Sequence, residues 1–375
     1  MKAVLANTLD GIDKDVWNSL VESNDGALSY DYLMAIEKSI ICDYRYFYVL
    51  VHDSEDTLIS VVPIFITKDF SLEGSVTNLY IKSICASIRR IFAKFMKERI
   101  LFVGNCLSRG QIKTRDGYDS EAVLELILRK IDFLAEAEKI KLIVFKDFSE
   151  NADSMSEFMR SKSYYKVYNF PGTCINLEVN SFDDYLSKMK SKRRQNIRYK
   201  IRRNEEDANI AYHVVDDYIG ILDELYALYE KTYKKALVKF EKLNKDFFIN
   251  LKKNLGDNVK VITAVLNGQI IGFALFICSG SYCTNLRVGL DYNHSNKYFV
   301  YYMLHYKNIE FAIQNGYHKL YLGQTSYSAK LEMGAELIPS VLYVRYRSNF
   351  LRNYMFYKMY DMTLRRYGGF PMTDG

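Results

Sequence analysis

The sequence predicts a mixed α+β protein made of two related domains, and three features carry that expectation. Residues 288–335 read as a strand end, a polar loop, a long amphipathic helix, a Gly turn and a short strand, the order of a parallel crossover. Before them, Val259–Leu266, Gln269–Cys278 and Ser281–Leu290 form a strand meander whose first turn is Asn267-Gly268, the strongest short-range hairpin signal. The third feature is a recurrence. Helix Ser120–Glu138, strand Lys141–Phe148, helix Ser154–Ser161 and the aromatic run Tyr164–Phe170 are echoed roughly 180 residues later by helix Tyr298–Asn315, strand Lys319–Leu322, Lys330–Gly334 and strand Val341–Ser348. A repeat this long implies paired domains, and 375 residues suffice for two cores.

Taken in order, helical segments are expected around Trp17–Glu22 and Tyr30–Ser39, the second capped by Ser29. Strands Tyr44–Val51 and Thr57–Thr67 follow, then an irregular stretch, a helix Ser87–Glu98, a strand Ile100–Val103 and a loop Leu107–Tyr118. The helix Ser120–Glu138 carries an apolar stripe of Val123, Leu124, Ile127, Ile131 and Leu134. The domain boundary is expected near Asn169-Phe170-Pro171-Gly172, giving domains 1–170 and 171–375. The second domain opens with strand Thr173–Val179 and a basic helix over 181–203 that starts at a Ser181 cap box. Strand Ile210–Val215 and helices Tyr218–Lys235 and Asp246–Leu255 lead into the meander, and a C-terminal helix is expected over 350–366.

Composition excludes more than it identifies. Hydrophobic residues at 49% and charged residues at 26% describe an ordinary globular chain. A net charge of +6 is too small to argue nucleic-acid binding by itself. The six cysteines form no C-x-x-C pair and the five histidines do not join them at ligand spacing, so no metal site and reduced thiols are expected. No apolar run is long enough for a transmembrane helix or a signal peptide, so the cytoplasm is the expected compartment. G-x-S-x-G, H-E-x-x-H, Walker A and G-x-G-x-x-G motifs are absent, which argues against hydrolase, metalloprotease, nucleoside triphosphatase and Rossmann readings.

The boldest local signal is the basic helix. Lys188, Lys190, Lys192, Arg193, Arg194, Arg198, Lys200, Arg202 and Arg203 lie on it with no acid among them, while Phe182, Leu186, Met189, Ile197 and Ile201 form its apolar stripe. Like charges at this density repel, so either a polyanion compensates them, with Arg193, Arg194 and Arg198 as the contacts, or the face is solvated and balanced by Glu205, Glu206 and Asp207.

Residues 288–335, ending in Lys330-Leu331-Glu332-Met333-Gly334-Ala335, resemble the cofactor half of the GNAT acyltransferase superfamily. More closely, the chain resembles the FemAB-like branch, which carries two such domains; the likeness covers most of residues 170–350, with a fainter echo before them. It implies two tandem GNAT-type domains, each a mixed, mostly antiparallel sheet flanked by helices, with the acceptor on the first domain and the donor on the second. The usual GNAT turn that grips coenzyme A pyrophosphate is glycine-rich, whereas Tyr292–Tyr298 here contains no glycine. FemAB-like transferases also lack that signature, and the donors implied for the branch are aminoacyl-tRNA, acyl-CoA or an acyl-carrier-protein thioester. No permanently bound cofactor is implied.

By the same resemblance Tyr327 is a general acid for the leaving group, and Lys330 stabilises an oxyanion or holds a substrate carboxylate. Both also have structural readings, Tyr327 as core and Lys330 as a partner of Glu332 or Glu336. Asp291 is either a general base on the acceptor amine or a turn cap. Asn285 and Arg287 lie on the strand that splays to admit the donor. Ser295 and Asn296 offer helix caps, Lys297 offers a phosphate contact, and Gln324 opens the loop beside the donor cleft. The function implied is N-acyl or N-aminoacyl transfer to a small-molecule or peptide amine. The alternative is a non-catalytic module that recognises an anionic cell-wall precursor or RNA.

Overall fold

The computed structural model describes residues 1–21, 26–71, 97–107, 110–149, 153–207, 209–236 and 239–347. The helix expected over 350–366 and residues 87–96 of the helix Ser87–Glu98 lie outside the described residues; Lys97–Glu98 is extended. The first half contributes strands β1 (Lys2–Ala6), β2 (Arg45–His52), β3 (Leu58–Ile66), β4 (Phe70–Ser71), β5 (Lys97–Glu98), β6 (Ile100–Val103), β7 (Lys113–Thr114), β8 (Leu142–Ser149) and β9 (Tyr165–Asn176). The second contributes β10 (Ile210–Val215), β11 (Val259–Leu266), β12 (Gln269–Ser279), β13 (Tyr282–Leu290), β14 (Lys319–Gly323) and β15 (Glu336–Tyr346).

Among the described residues one sheet of 13 strands runs in the order β1-β2-β3-β6-β8-β15-β9-β14-β13-β12-β11-β10, with β7 beside β3. The order is palindromic. Each half is an antiparallel meander ending in one parallel pair, β6 with β8 and β13 with β14. Helices Ser120–Ala137 and Val300–Gln314 make the two crossovers, as long connections between parallel strands require. Each half then sends its last strand into the other: β9 pairs with β14, β15 pairs with β8, and the two exchanged strands pair with each other. The exchange covers two strand edges that would otherwise be open. It also means that the expected junction at Phe170–Gly172 falls inside β9, because this strand serves both halves.

The element types follow the sequence closely. Asn267 and Gly268 both take positive φ, 50° and 79°, which closes the two-residue hairpin between β11 and β12. Ser29 caps the helix Tyr30–Ser39, and Asp119 caps Ser120–Ala137 through the amides of Glu121 and Ala122. Three expectations are revised. Lys2–Ala6 is an edge strand on β2, which no reading of the sequence anticipated. The basic helix is two helices, Phe182–Ser187 and Ser191–Asp207, because the chain turns at Met189, whose methyl group packs on Gly334. The crossover helix begins at Val300 rather than Tyr298; a short helix Tyr292–Ser295 precedes it, and Phe299 joins them with φ 54°.

Both halves share one hydrophobic core on one face of the sheet. Tyr32, Phe65 and Phe102 from the first half meet Phe247, Phe248, Phe273 and Leu275 from the second. The close approach of helix Leu222–Lys235 to β13 depends on Gly289, where a Cβ would lie 2.8 Å from the Tyr229 backbone nitrogen and 2.1 Å from the Phe273 ring. Among the described residues, no helix is long and apolar enough to cross a membrane.

Candidate active site

Parallel strands β13 and β14 pair only at Tyr282–Lys319, Cys283–Leu320 and Thr284–Tyr321. Beyond Thr284 they part. A bulge against β12 at the same level leaves Leu286 as the extra residue between Asn285 and Arg287. From Asn285 onward β13 has no strand neighbour on its β14 side among the described residues; Asn285–Val288 line a cavity there, while the Leu290 amide donates to Thr232 Oγ1 over 3.0 Å. A second bulge lies between β9 and β15, where the register shifts between Ile338 and Ser340. It holds Pro339 and Pro171, neither of which carries an N–H for the ladder.

These two interruptions open into a cavity of about 540 Å³ between the halves. Its second-half wall includes Asn285, Leu286, Arg287, Tyr301, His305, Gln324 and Lys330. Its first-half wall includes Gly110, Gln111, Lys146, Asp147 and Asn169, and the loop after helix Leu222–Lys235 adds Phe240 and Glu241.

Two ion pairs sit in this wall. Asp147 accepts from Lys146 and Asn169, and Gln324 Nε2 donates to its Oδ1 over 3.2 Å. Arg287 pairs with Glu241, and its Nη1 also donates to the Leu286 carbonyl over 2.6 Å. Burial, the largest influence, raises the Glu241 carboxyl above the ordinary carboxylate range against the pull of Arg287 and Lys146. Lys330, 4% exposed, donates to the Gln324 carbonyl over 2.8 Å and makes no ion pair among the described residues; burial brings its ammonium down to about 7. His305 beside it is fully buried, with both ring nitrogens unpartnered, and burial and the Lys330 charge pull it down to about 3, so it is neutral. Asn285 Oδ1 is buried without a partner as well.

The structure thus brings Lys330, Asn285, Arg287 and Gln324 to one cavity and leaves the other expected residues elsewhere. Tyr327 is buried, but its hydroxyl donates to the Pro171 carbonyl over 2.9 Å and does not line the cavity, which matches its reading as core. Asp291 caps the helix Tyr292–Ser295 through the Asn293 amide and accepts from Lys231 at 3.0 Å, the turn-cap alternative. Ser295, Asn296 and Lys297 belong to the segment just before Phe299 and do not line the cavity. Lys330 does not pair with Glu332, which instead takes Lys200 and Asn196 of the basic helix and, at 3.0 Å, the Tyr302 hydroxyl. On that helix Arg198 reaches Asp183 at 3.5 Å, Arg194 hydrogen-bonds the Met189 carbonyl at 3.3 Å, and Arg193 is exposed.

Sequence reasoning missed Asp147, Lys146, Glu241 and His305 as cavity residues. Asp147 had one usable signal, an adjacent Lys-Asp pair at the end of an otherwise apolar strand. Glu241 had none, because it comes from an irregular loop.

The family model FemAB-like, described as peptidoglycan biosynthesis/recognition, matches residues 8–334. None of the curated proteins matches the chain in sequence. Among solved structures, FemX superposes with a TM-score of 0.62 at 12% identity, covering 96% of this chain and 100% of that one. A tandem GNAT protein from the clavulanic acid biosynthesis pathway gives 0.54 at 8% identity, covering 92% and 98%. The C-terminal domain of a putative lysylphosphatidylglycerol synthetase from Agrobacterium fabrum gives 0.54 at 12%, covering 93% and 96%. The fold is the tandem GNAT fold.

Proposed function

We propose that this chain, which belongs to the FemAB-like family, is a transferase that moves an acyl or aminoacyl group from a thioester or aminoacyl-tRNA to an amine. The observation that carries this reading is the parting of β13 and β14 after Thr284, which brings backbone amides of the Asn285–Val288 stretch to the wall of a cavity shared by both halves. A donor carbonyl lying against those amides has hydrogen-bond donors aimed where negative charge develops as the amine attacks. The amine arrives protonated at neutral pH and must lose a proton before it attacks. Glu241, buried in the cavity wall with a raised proton affinity, is the group suited to take it. As the C–N bond forms, the donor's C–S or C–O bond breaks and the released thiolate or alkoxide takes a proton, from Glu241 or from water. Arg287 steadies the carboxylate before that transfer. Asn285 and Gln324 orient the reactants through side-chain amides, and Lys330 opposes negative charge. The donor side is assigned to residues 171–375 and the acceptor side to residues 1–170, which supply Lys146, Asp147 and Asn169. Residues Arg193, Arg194 and Arg198 form a basic face suited to a polyanionic donor such as tRNA.

The reading is tested by incubating the full chain with acyl-CoA thioesters, acyl-carrier thioesters or aminoacyl-tRNA, each with a panel of amines that includes peptidoglycan precursors. Mass spectrometry should detect an amide product in at least one combination. Saturable precursor or RNA binding with no amide formed from any donor class would favour a recognition module instead.

A further inference from the structure

We propose that the Lys330–His305 end of the cavity is a subsite for a carboxylate carried by one of the substrates, an assignment that rests on the transfer reading above. The charge distribution of the wall is the first argument. Its basic side chains are Lys146, Lys239, Arg287 and Lys330, and its acidic ones are Asp147 and Glu241. Lys146 pairs with Asp147 and Arg287 with Glu241, while Lys239 is exposed to solvent. Lys330 is the buried cation left over.

A buried ammonium without a counter-charge is costly, and proteins keep one where something transient supplies the charge. Among the described residues no carboxylate does so: Glu332 on the same helix is taken by Lys200, and Asp147 is engaged by Lys146, Asn169 and Gln324. The low proton affinity of Lys330 is traced to burial alone.

The second argument is the neighbour. A neutral imidazole carries one N–H donor, and neither nitrogen of His305 is satisfied although the ring is fully buried. Tyr301 holds the ring edge-on at 4.6 Å and walls the same end of the cavity. An ammonium and a single N–H donor, with no free arginine among the described residues of the wall to join them, match one singly charged carboxylate better than a phosphate dianion. Binding would return a full proton to Lys330 and give His305 its missing acceptor. The carboxylate has two sources: an acceptor that is an amino acid or peptide with a free carboxylate, or an acyl group that ends in one.

The test needs no turnover, so its failure is separable from failure of the transfer reading. The full chain is labelled with ¹³C-lysine, and the Lys330 resonance is assigned by its loss in Lys330→Met. Its titration is followed alone and with alanine or succinate at about 50 mM, enough to fill a millimolar site. The expected result is a midpoint near neutrality in the free chain that moves up by about tenfold in proton affinity with one of the two probes. Alaninamide and dimethyl succinate should leave it where it was. A response to alanine alone assigns the carboxylate to the acceptor, and to succinate alone assigns it to the donor acyl group. His305→Phe should weaken the response by about tenfold. A midpoint that ignores both carboxylates, or that responds equally to the neutral analogues, overturns the proposal.

Discussion

Gln324 of the second half and Asp147 of the first are joined by a 3.2 Å hydrogen bond from amide to carboxylate across the centre of the molecule. The two residues lie near the ends of equivalent strands, β8 and β14, and the bond ties together the halves that wall the cavity. Gln324 also donates to the Phe170 carbonyl over 2.8 Å, so one side chain spans β9 and β8. Asp147→Asn removes the carboxylate that pairs with the buried Lys146 and should destabilise the chain in denaturant unfolding, by up to about 3–5 kcal/mol. The double variant Lys146→Met with Asp147→Leu should regain most of that loss. If the single variant is neutral, the pair is not an electrostatic brace.

Glu241→Gln should lower kcat by about 10²–10⁴-fold while leaving substrate affinity within a few-fold. Because Arg287 would be left unpaired, melting temperature is measured alongside, and Glu241→Gln with Arg287→Met serves as the control for folding. A fall in kcat no larger than that expected from lost stability would remove Glu241 from the proton transfer.

Lys330 gives stability a signed pH dependence. Its folded proton affinity, near 7, lies below the unfolded value of 10.5, so between those values the unfolded chain binds more protons. Stability therefore rises as pH climbs through that window, and the full penalty is present below pH 7. Lys330→Met should raise stability by a few kcal/mol, on the order of 1.4 per unit of depression, at pH 6, and the gain should fade towards pH 10. Chemical denaturation at three pH values checks the sign. A gain independent of pH would mean that the ammonium is not desolvated.

Replacing Arg193, Arg194 and Arg198 with Gln should weaken binding of a tRNA or another polyanionic substrate and flatten its dependence on salt, with about one unit of log–log slope lost per phosphate contact. Arg194 also reaches the Met189 carbonyl and Arg198 reaches Asp183, so a small loss of helix stability is expected too. Identical salt slopes for variant and parent would leave these arginines as a solvated face.

Tyr327→Phe removes the hydrogen bond to the Pro171 carbonyl and keeps the ring. A loss of about 1 kcal/mol is expected, with turnover falling only as far as stability does. A drop of two decades or more in kcat at unchanged melting temperature would restore a chemical role to the hydroxyl.

The sequence by itself determined the local elements and the family. Apolar periodicity marked the crossover helices Ser120–Ala137 and Val300–Gln314, Asn267-Gly268 marked the hairpin, and the recurrence of element order marked two related halves. Lys330, Asn285, Arg287 and Gln324 were legible as candidates through the family resemblance of one strand–helix–strand unit, and all four line the cavity. What only the tertiary structure decided is long-range. That β9 and β15 change partners cannot be read from either strand, since pairing is chosen by which edges remain open after the rest of the sheet has formed. The same holds for Asp147 and Glu241, which reach the cavity from another half and from a loop, and for Tyr327 and Asp291, which fall beside the site in sequence yet spend their polar atoms on Pro171 and on a helix cap. Sequence spacing orders side chains along one element, whereas a cavity between two halves is assembled by contacts across hundreds of residues, where no local period reports on which way a side chain faces.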